Sequence, residues 1–319
     1  MRILVTEAVD PVGVQLLEQP FDVSVILTQD PEEVRRLIAD ADAIVVKSRT
    51  PLTAEILAAA PHLKAIGRVG NGLDNIDLET ARARQIAVFH TPDGATQAVA
   101  ELTLLQMLAL CRRAYEVHRG WLANDYRRSR FVGCELQSRV VGIVGVGRIG
   151  EAVARLLQPF GCTRYAWDTD PVALQRARAA RVRTVASLDE LMATCNLVTL
   201  HVPLTTSTRG MIDARRLRLL PRGSFLLNLA RGGLIDEAAL LEAVRTGRVA
   251  AAAIDVLAEE PSYDAAPEGQ TYTNPLLSEP AILLTPHLGA STFEAQQQMS
   301  RAVAEQLIGY LTQLSPVPR

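Results

Sequence analysis

A surplus of positive charge is the first thing this chain lacks. Its 319 residues carry 33 Lys and Arg against 35 Asp and Glu, a formal net charge of −2. No global field therefore favours nucleic acid or an acidic membrane surface, and neither is expected as a partner. No apolar run approaches the ~18–20 residues that span a bilayer. The opening "MRILVTEAVDPVG" turns acidic and meets a proline at once. It lacks the basic, apolar and small-residue order of a secretory leader, so a cytoplasmic location is expected. Cysteine is scarce and dispersed: Cys111, Cys134, Cys162 and Cys195 form no Cys-x-x-Cys pair. Reduced thiols in ordinary partial burial are expected, and no metal site. Internal repeats and low-complexity tracts are missing too.

What is present is 48% hydrophobic residues in a chain long enough for two domains. Short Val/Ile/Leu-rich runs alternate with amphipathic stretches. "RILVTE", "DVSVIL", "AIVVKS", "LKAIGRVG" and "IAVFHTP" read as strands of one parallel sheet. "RVVGIVG", "RYAWD", "LVTLHVP", "SFLLNLA", "AAAIDV" and "AILLTPH" read as strands of a second. Between the two sets, the spacing predicts a single long buried helix over about Ala95 to Arg119. Pro31 suits the first position of a helix in "PEEVRRLIADA". Ser187/Glu190 and Ser291/Glu294 stand at capping-box spacing. One long irregular segment is expected, about Pro261 to Asn274.

In "VVGIVGVGRIGEAVARLL" a strand runs into Gly145-x-Gly147-x-x-Gly150 and then a helix. The first glycine allows a tight turn, the second a close backbone approach to a pyrophosphate, and the third close helix–strand packing. The helix start offers unpaired amides and partial positive charge. The next strand ends in Asp168, whose carboxylate can accept from both ribose hydroxyls of NAD and would repel a 2′-phosphate. NAD is therefore the expected cofactor. Ligands of open parallel sheets sit beyond the carboxyl ends of the strands. Here those ends carry Asp168, His201, Arg231, Asp255 and His287. A 2-hydroxy acid losing hydride must also lose its hydroxyl proton, a task suited to a histidine. Glu260 would favour an imidazolium, and an arginine can grip a carboxylate by a planar fork.

"GRVGNGLDNIDLETA", "GIVGVGRIG", "HVPLTTSTRGMI", "NLARGGLIDEAAL", "AAIDVLAEEP" and "TPHLGASTFEAQ" together resemble the D-isomer-specific 2-hydroxyacid dehydrogenases over nearly the whole chain. The resemblance implies an α/β fold of two doubly wound parallel-sheet domains. A Rossmann NAD-binding domain, 99–288, is inserted into a flavodoxin-like substrate domain, 1–98 plus 289–319, with an active-site cleft between them that closes on substrate. It implies a triad of Arg231, Glu260 and His287: Arg231 binds the substrate carboxylate, His287 exchanges the proton, and Glu260 holds it protonated for reduction. Cofactor contacts are implied for Asn71, for Arg148 and Ile149 beside the glycines, and for Asp168. They are also implied for His201, Val202 and Pro203, for Leu229, Ala230 and Arg231, and for Asp255. The last of them fall in the segment His287 to Ala290, which includes Gly289. The amides around Asn71 and Gly72 would meet the substrate carboxylate. A homodimer through the nucleotide domain is also implied, with the long helix as one contact.

Similarity is greatest to members that act on 3-phosphoglycerate. Lys47, with Ser48 and Arg49 beside it, Arg68 and Arg128 match the positions that hold the phosphate in such members. Lysine stands at 47 where arginine is more usual. Hydroxypyruvate or glyoxylate is the alternative small-molecule substrate. An NAD(H)-sensing corepressor is the non-enzymatic alternative. Phosphoglycerate-type members often add a serine-binding regulatory domain. This chain closes soon after its last helix, at "LSPVPR", so no serine inhibition of that kind is expected.

Overall fold

The computed structural model describes residues 1–261 and 272–314. Residues 262–271 of the irregular segment and the closing 315–319 lie outside the described residues. The chain divides into two compact units, Met1–Ala98 with Ala290–Arg319, and Val99–Gly289.

The first unit is a five-stranded parallel sheet of β1 (Arg2–Val5), β2 (Asp22–Val25), β3 (Ala43–Val46), β4 (Ala65–Arg68) and β5 (Ala87–His90). Its order is β2-β1-β3-β4-β5, the flavodoxin-like arrangement. Helices α1 (Pro11–Glu18), α2 (Pro31–Ile38), α3 (Ala54–Ala58) and α4 (Leu78–Ala83) follow successive strands. All four residues of β3 are buried, as the apolar run requires for a strand covered on both faces. Val34, Ile38, Ile44, Leu57 and Ile66 form the core between sheet and helices. Each helix starts on a side-chain acceptor: Asp10, Asp30, Thr53 and Asp77. A closing helix, Phe293–Leu314, packs against α1. The approach depends on Gly13, where a Cβ would come within 2.2 Å of Ser300 Oγ. Ser300 donates to the Asp10 carbonyl at 2.8 Å. The cap of this helix is Thr292, whose hydroxyl accepts from Ala295 N–H, one residue beyond the expected Ser291.

The division between units falls within α5 (Thr96–Arg112), which is followed by α6 (Ala114–Leu122). The expected single helix is therefore broken. Arg113 takes a left-handed backbone, φ 53°, which costs roughly 1–2 kcal/mol for a residue with a Cβ. Its side chain is held by Glu116 and by the Arg130 carbonyl, bonds that offset the cost. The expectation of burial also fails beyond the break, since α6 has no buried residue.

The second unit holds seven parallel strands: β6 (Val140–Val144), β7 (Thr163–Trp167), β8 (Arg183–Thr184), β9 (Leu197–Leu200), β10 (Ser224–Asn228), β11 (Val249–Ile254) and β12 (Ile282–Leu284). The order is β12-β11-β10-β9-β6-β7-β8. The chain fills one side of β6 first and then crosses to the other, so the order reverses between β6 and β9. That is the switch point where such sheets bind ligands. Helices α7 (Arg148–Leu156), α8 (Pro171–Ala179), α9 (Leu188–Thr194), α10 (Ala214–Leu219) and α11 (Glu237–Arg245) alternate with the strands. At α9, Ser187 accepts from Glu190 N–H, while the Glu190 carboxylate accepts from Ala186, one residue before the cap.

Candidate active site

The three glycines of the turn after β6 answer to different demands. Gly145 has φ +88°, a conformation that favours glycine. At Gly150 a Cβ would lie 2.0 Å from the Gly145 carbonyl oxygen. At Gly147 a Cβ would meet nothing within 4 Å, and its φ is an ordinary −68°. The protein itself does not require glycine there, so the bare backbone leaves room for a ligand. Among the described residues no side chain caps the start of α7, where Arg148 and Ile149 begin the helix. Asp168 turns back over this loop, accepting from Val146 N–H at 2.7 Å and from Asp170 N–H at 2.9 Å. An uncapped helix start, an open glycine face and a carboxylate at the end of β7 fit a dinucleotide pyrophosphate and ribose.

Around the same sheet edge, His201 follows β9, Asp255 follows β11, and Arg231 and His287 lie in the loops after β10 and β12. His201 reaches the Thr199 hydroxyl through Nε2 at 3.0 Å, and its buried Nδ1 has no partner among the described residues. Burial pushes its pKa down to about 3, so the ring is neutral at working pH. His201 N–H bonds the Val144 carbonyl, and Val202 and Pro203 continue the chain past the glycine turn. A Cβ on Gly145 would come within 2.7 Å of both the His201 carbonyl and Val202.

His287 differs from His201. Its Nδ1 lies 3.0 Å from the Glu260 carboxylate, and its backbone is left-handed, φ 55°. Asp255 enforces that conformation. Buried to 1% exposure, it accepts from the Thr285 hydroxyl at 2.5 Å, Leu288 N–H at 2.8 Å and Gly289 N–H at 2.9 Å. Its carbonyl takes His287 N–H at 2.9 Å. The loop is thus wound around one carboxylate. Burial raises the Asp255 pKa, and these hydrogen bonds oppose the rise.

Arg231 stands half-buried after Leu229 and Ala230, in a turn shaped by Asn228. Asn228 accepts from Ala230 N–H and donates to the Arg231 carbonyl. Gly232 brings that turn against the loop after β11, since a Cβ there would lie 1.7 Å from the Leu257 carbonyl oxygen.

In the first unit, Lys47, Ser48 and Arg49 follow β3, Arg68 ends β4, and Asn71 and Gly72 follow Gly70 (φ +138°). Glu7, only 4% exposed, organises the first loop. Its carboxylate accepts the N–H of Lys47 at 2.7 Å, Thr50 at 3.0 Å and Arg49 at 3.2 Å. Asn75 closes the loop from the other side through the carbonyls of Lys47 and Thr50. The Asn71 carbonyl is bonded by His90 Nδ1 at 2.9 Å. Burial lowers the Lys47 pKa, Glu7 opposes the shift, and the charges of Arg49 and Arg68 add to it. The three cations therefore lie within electrostatic reach of one another. Sequence reasoning missed Glu7 and Asn75, whose partners lie 25 to 43 positions away. In the second unit, Arg128 lies exposed in the 3-10 turn Arg128–Phe131. Asp125 pairs with its neighbours Arg127 and Arg130.

A parallel sheet that reverses beside a glycine turn, with a histidine–carboxylate pair at the same edge, is the frame of a dinucleotide-binding site. Residues 104–289 match the D-isomer specific 2-hydroxyacid dehydrogenase NAD binding domain, and the chain belongs to that family, with NAD as cofactor. It is 39% identical over 307 residues to a D-3-phosphoglycerate dehydrogenase of Methanocaldococcus jannaschii, covering 96% of this chain and 57% of that one. The chain thus spans a little over half the length of that relative. Among solved structures, the TT0316 protein from Thermus thermophilus superposes with a TM-score of 0.85 at 33% identity, covering 98% of this chain and 97% of that one. A D-lactate dehydrogenase from Aquifex aeolicus, solved with NAD and lactic acid, gives 0.85 at 25% identity over 98% and 96%.

Proposed function

We propose that the chain is an NAD-dependent dehydrogenase of a D-2-hydroxy acid, with 3-phosphoglycerate and 3-phosphohydroxypyruvate as its pair. In this reading 1–98 with 289–319 is the substrate domain and 99–288 the NAD-binding domain. The chemistry rests on the His287–Glu260 pair. With Nδ1 engaged by Glu260, His287 presents Nε2 to take the substrate hydroxyl proton in oxidation and return it in reduction. Glu260 stabilises the imidazolium formed in between. Arg231 grips the substrate carboxylate; NAD, held at the glycine turn, would supply the hydride chemistry. The residues around the glycine turn, Asp168, His201 to Pro203, Leu229 to Arg231, Asp255, His287 to Ala290 and Asn71 make the cofactor contacts. Asn71 and Gly72 also offer amides to the substrate.

The phosphate assignment is carried by the basic cluster of the first unit. Lys47, with Glu7, Arg49 and Arg68 all acting on it, makes a group of formal charge +2, which matches a phosphate dianion. Arg128 adds a fourth cation in this reading. The resemblance of the whole chain to a phosphoglycerate dehydrogenase supports the same substrate.

We also assign a cytoplasmic homodimer. No helix among the described residues is long and apolar enough to cross a membrane. The apolar side chains left exposed on and after α6, Tyr115, Trp121, Leu122, Tyr126 and Val132, support dimerisation through the second unit.

Steady-state NADH oxidation with 3-phosphohydroxypyruvate, hydroxypyruvate and glyoxylate tests the substrate. A kcat/KM at least ~100-fold higher for the phosphorylated acid, about 2.7 kcal/mol, is the expected result. Equal or faster turnover of the unphosphorylated acids refutes the phosphate assignment. NADH binding with no turnover of any of the three points to another substrate or to a sensor.

A further inference from the structure

Two of the four dispersed cysteines meet in space. Cys111 lies in the last turn of α5, and its carbonyl accepts the Cys134 N–H at 2.8 Å. Gly133 permits this approach, because a Cβ there would lie 2.3 Å from the Cys111 carbonyl oxygen and 3.0 Å from Arg112 Cα. The Cys134 side chain acts directly on the Cys111 thiol. Cys134 is half-buried and Cys111 fully buried. On Cys134 sits a guanidinium: Arg139 donates to its sulfur from Nη2 at 2.7 Å and from Nε at 3.2 Å. The Arg139 guanidinium carbon itself stands over the Phe225 ring, 4.5 Å from its centre.

A guanidinium beside a partly exposed sulfur is the electropositive surrounding in which cysteines react. Cys111 lies in a different one. Burial first, and then the neighbouring Cys134, push its pKa up to about 12, so it remains a thiol. An attacking sulfur that is partly exposed, beside a buried thiol that can resolve it, is the arrangement of a peroxide-sensitive dithiol. Cys162 and Cys195 have no second thiol acting on them among the described residues; both are buried, and burial raises the Cys195 pKa to about 12.

We propose that Cys134 and Cys111 form a reversible intramolecular disulfide on exposure to hydrogen peroxide, with Cys134 as the attacking sulfur and Arg139 as the group that activates it. The Cys134 sulfur bonds to one peroxide oxygen, the O–O bond breaks, and hydroxide leaves, taking the Cys134 proton to become water. The Cys111 sulfur then displaces the sulfenic oxygen, which departs as a second water with the Cys111 proton. Two thiols and one peroxide give one disulfide and two waters; the sulfurs lose the two electrons the peroxide gains.

The test is peptide mass mapping of the full chain, reduced and then titrated with hydrogen peroxide, without further reductant. The expected result is one cross-linked pair containing Cys111 and Cys134, with Cys162 and Cys195 left as thiols and the link reversed by dithiothreitol. In Cys111→Ser, dimedone should trap a sulfenic acid at Cys134. Arg139→Gln should slow peroxide consumption on the order of tenfold, and Arg139→Lys should recover part of that rate. If the glutamine variant fails to fold, the wild-type map and the lysine variant still decide. A cross-link through Cys162 or Cys195, four surviving thiols, oxidation of Cys134 that stops short of a disulfide, or rates indifferent to residue 139 would overturn the proposal.

Discussion

Both units hold their polar loops on a single buried carboxylate, and they use it differently. In the first, Glu7 gathers the amides of Lys47, Arg49 and Thr50, so the anion sits beneath a group of cations. In the second, Asp255 gathers Leu288, Gly289 and the Thr285 hydroxyl and holds a histidine in a backbone conformation it would otherwise avoid. The first arrangement concentrates static charge and suits binding. The second fixes the direction of one ring and suits proton transfer. A carboxylate accepting several amides can thus serve either end, depending on what its loop carries.

Removing the side chain that a loop carries should do more than loosening the loop. His287→Ala is expected to lower kcat by about 10²–10⁴-fold while NADH, read by fluorescence titration, still binds through its remaining contacts. Unchanged turnover would remove His287 from the chemistry and with it the contrast between the two loops.

Taking away each anchor comes next. Asp255→Ala strands two amides and a hydroxyl and should cost about 2–4 kcal/mol in urea unfolding, with kcat falling alongside. Glu7→Ala should cost a similar amount, but its kinetic signature should be a raised KM for the phosphorylated acid at nearly constant kcat. If both variants shifted the same kinetic parameter, the division between charge and orientation would be wrong.

The smallest effect is in pH dependence. Burial raises the Asp255 pKa above 3.8, so the folded chain holds its proton more tightly than the unfolded one. Its contribution to stability should fall as pH rises from 3.8 through the raised value. For Asp42 in the first unit, burial acts to raise the pKa, but Lys64 and the Arg2 amide outweigh it and the net shift is downward. Its contribution should be present above pH 3.8 and lost as pH falls through the lowered value. Urea midpoints of Asp255→Asn and Asp42→Asn between pH 2 and 6 should lose slopes of opposite sign. Parallel changes would contradict the assignment.

Much of the fold was legible because both sheets are parallel and covered, and such strands announce themselves as apolar runs. β8 did not, being two residues long and paired only with β7. The glycine turn and Asp168 were legible because their spacing is local. The break at Arg113 was not: arginine is a good helix former, and the bonds that hold its left-handed backbone come from Glu116 and from Arg130, the latter seventeen positions on. Glu7 was hidden for a similar reason, since its partners reach it only through the pairing of β1 with β3. Cys111 meets Cys134 only after the chain has turned through α6.

The seam between α1 and the closing helix has a consequence for how the protein is made. Residues 99–289 are continuous, so the second unit can fold as soon as its own strands have left the ribosome. The first unit has its sheet early, but the partner of Gly13 is Ser300. At about 5–20 residues per second, the roughly 200 residues between Ala98 and Ser300 take on the order of 10–40 seconds to synthesise. Throughout that interval the face of α1 destined for Ser300 is bare. The half of the molecule that is begun first is therefore the half that is finished last.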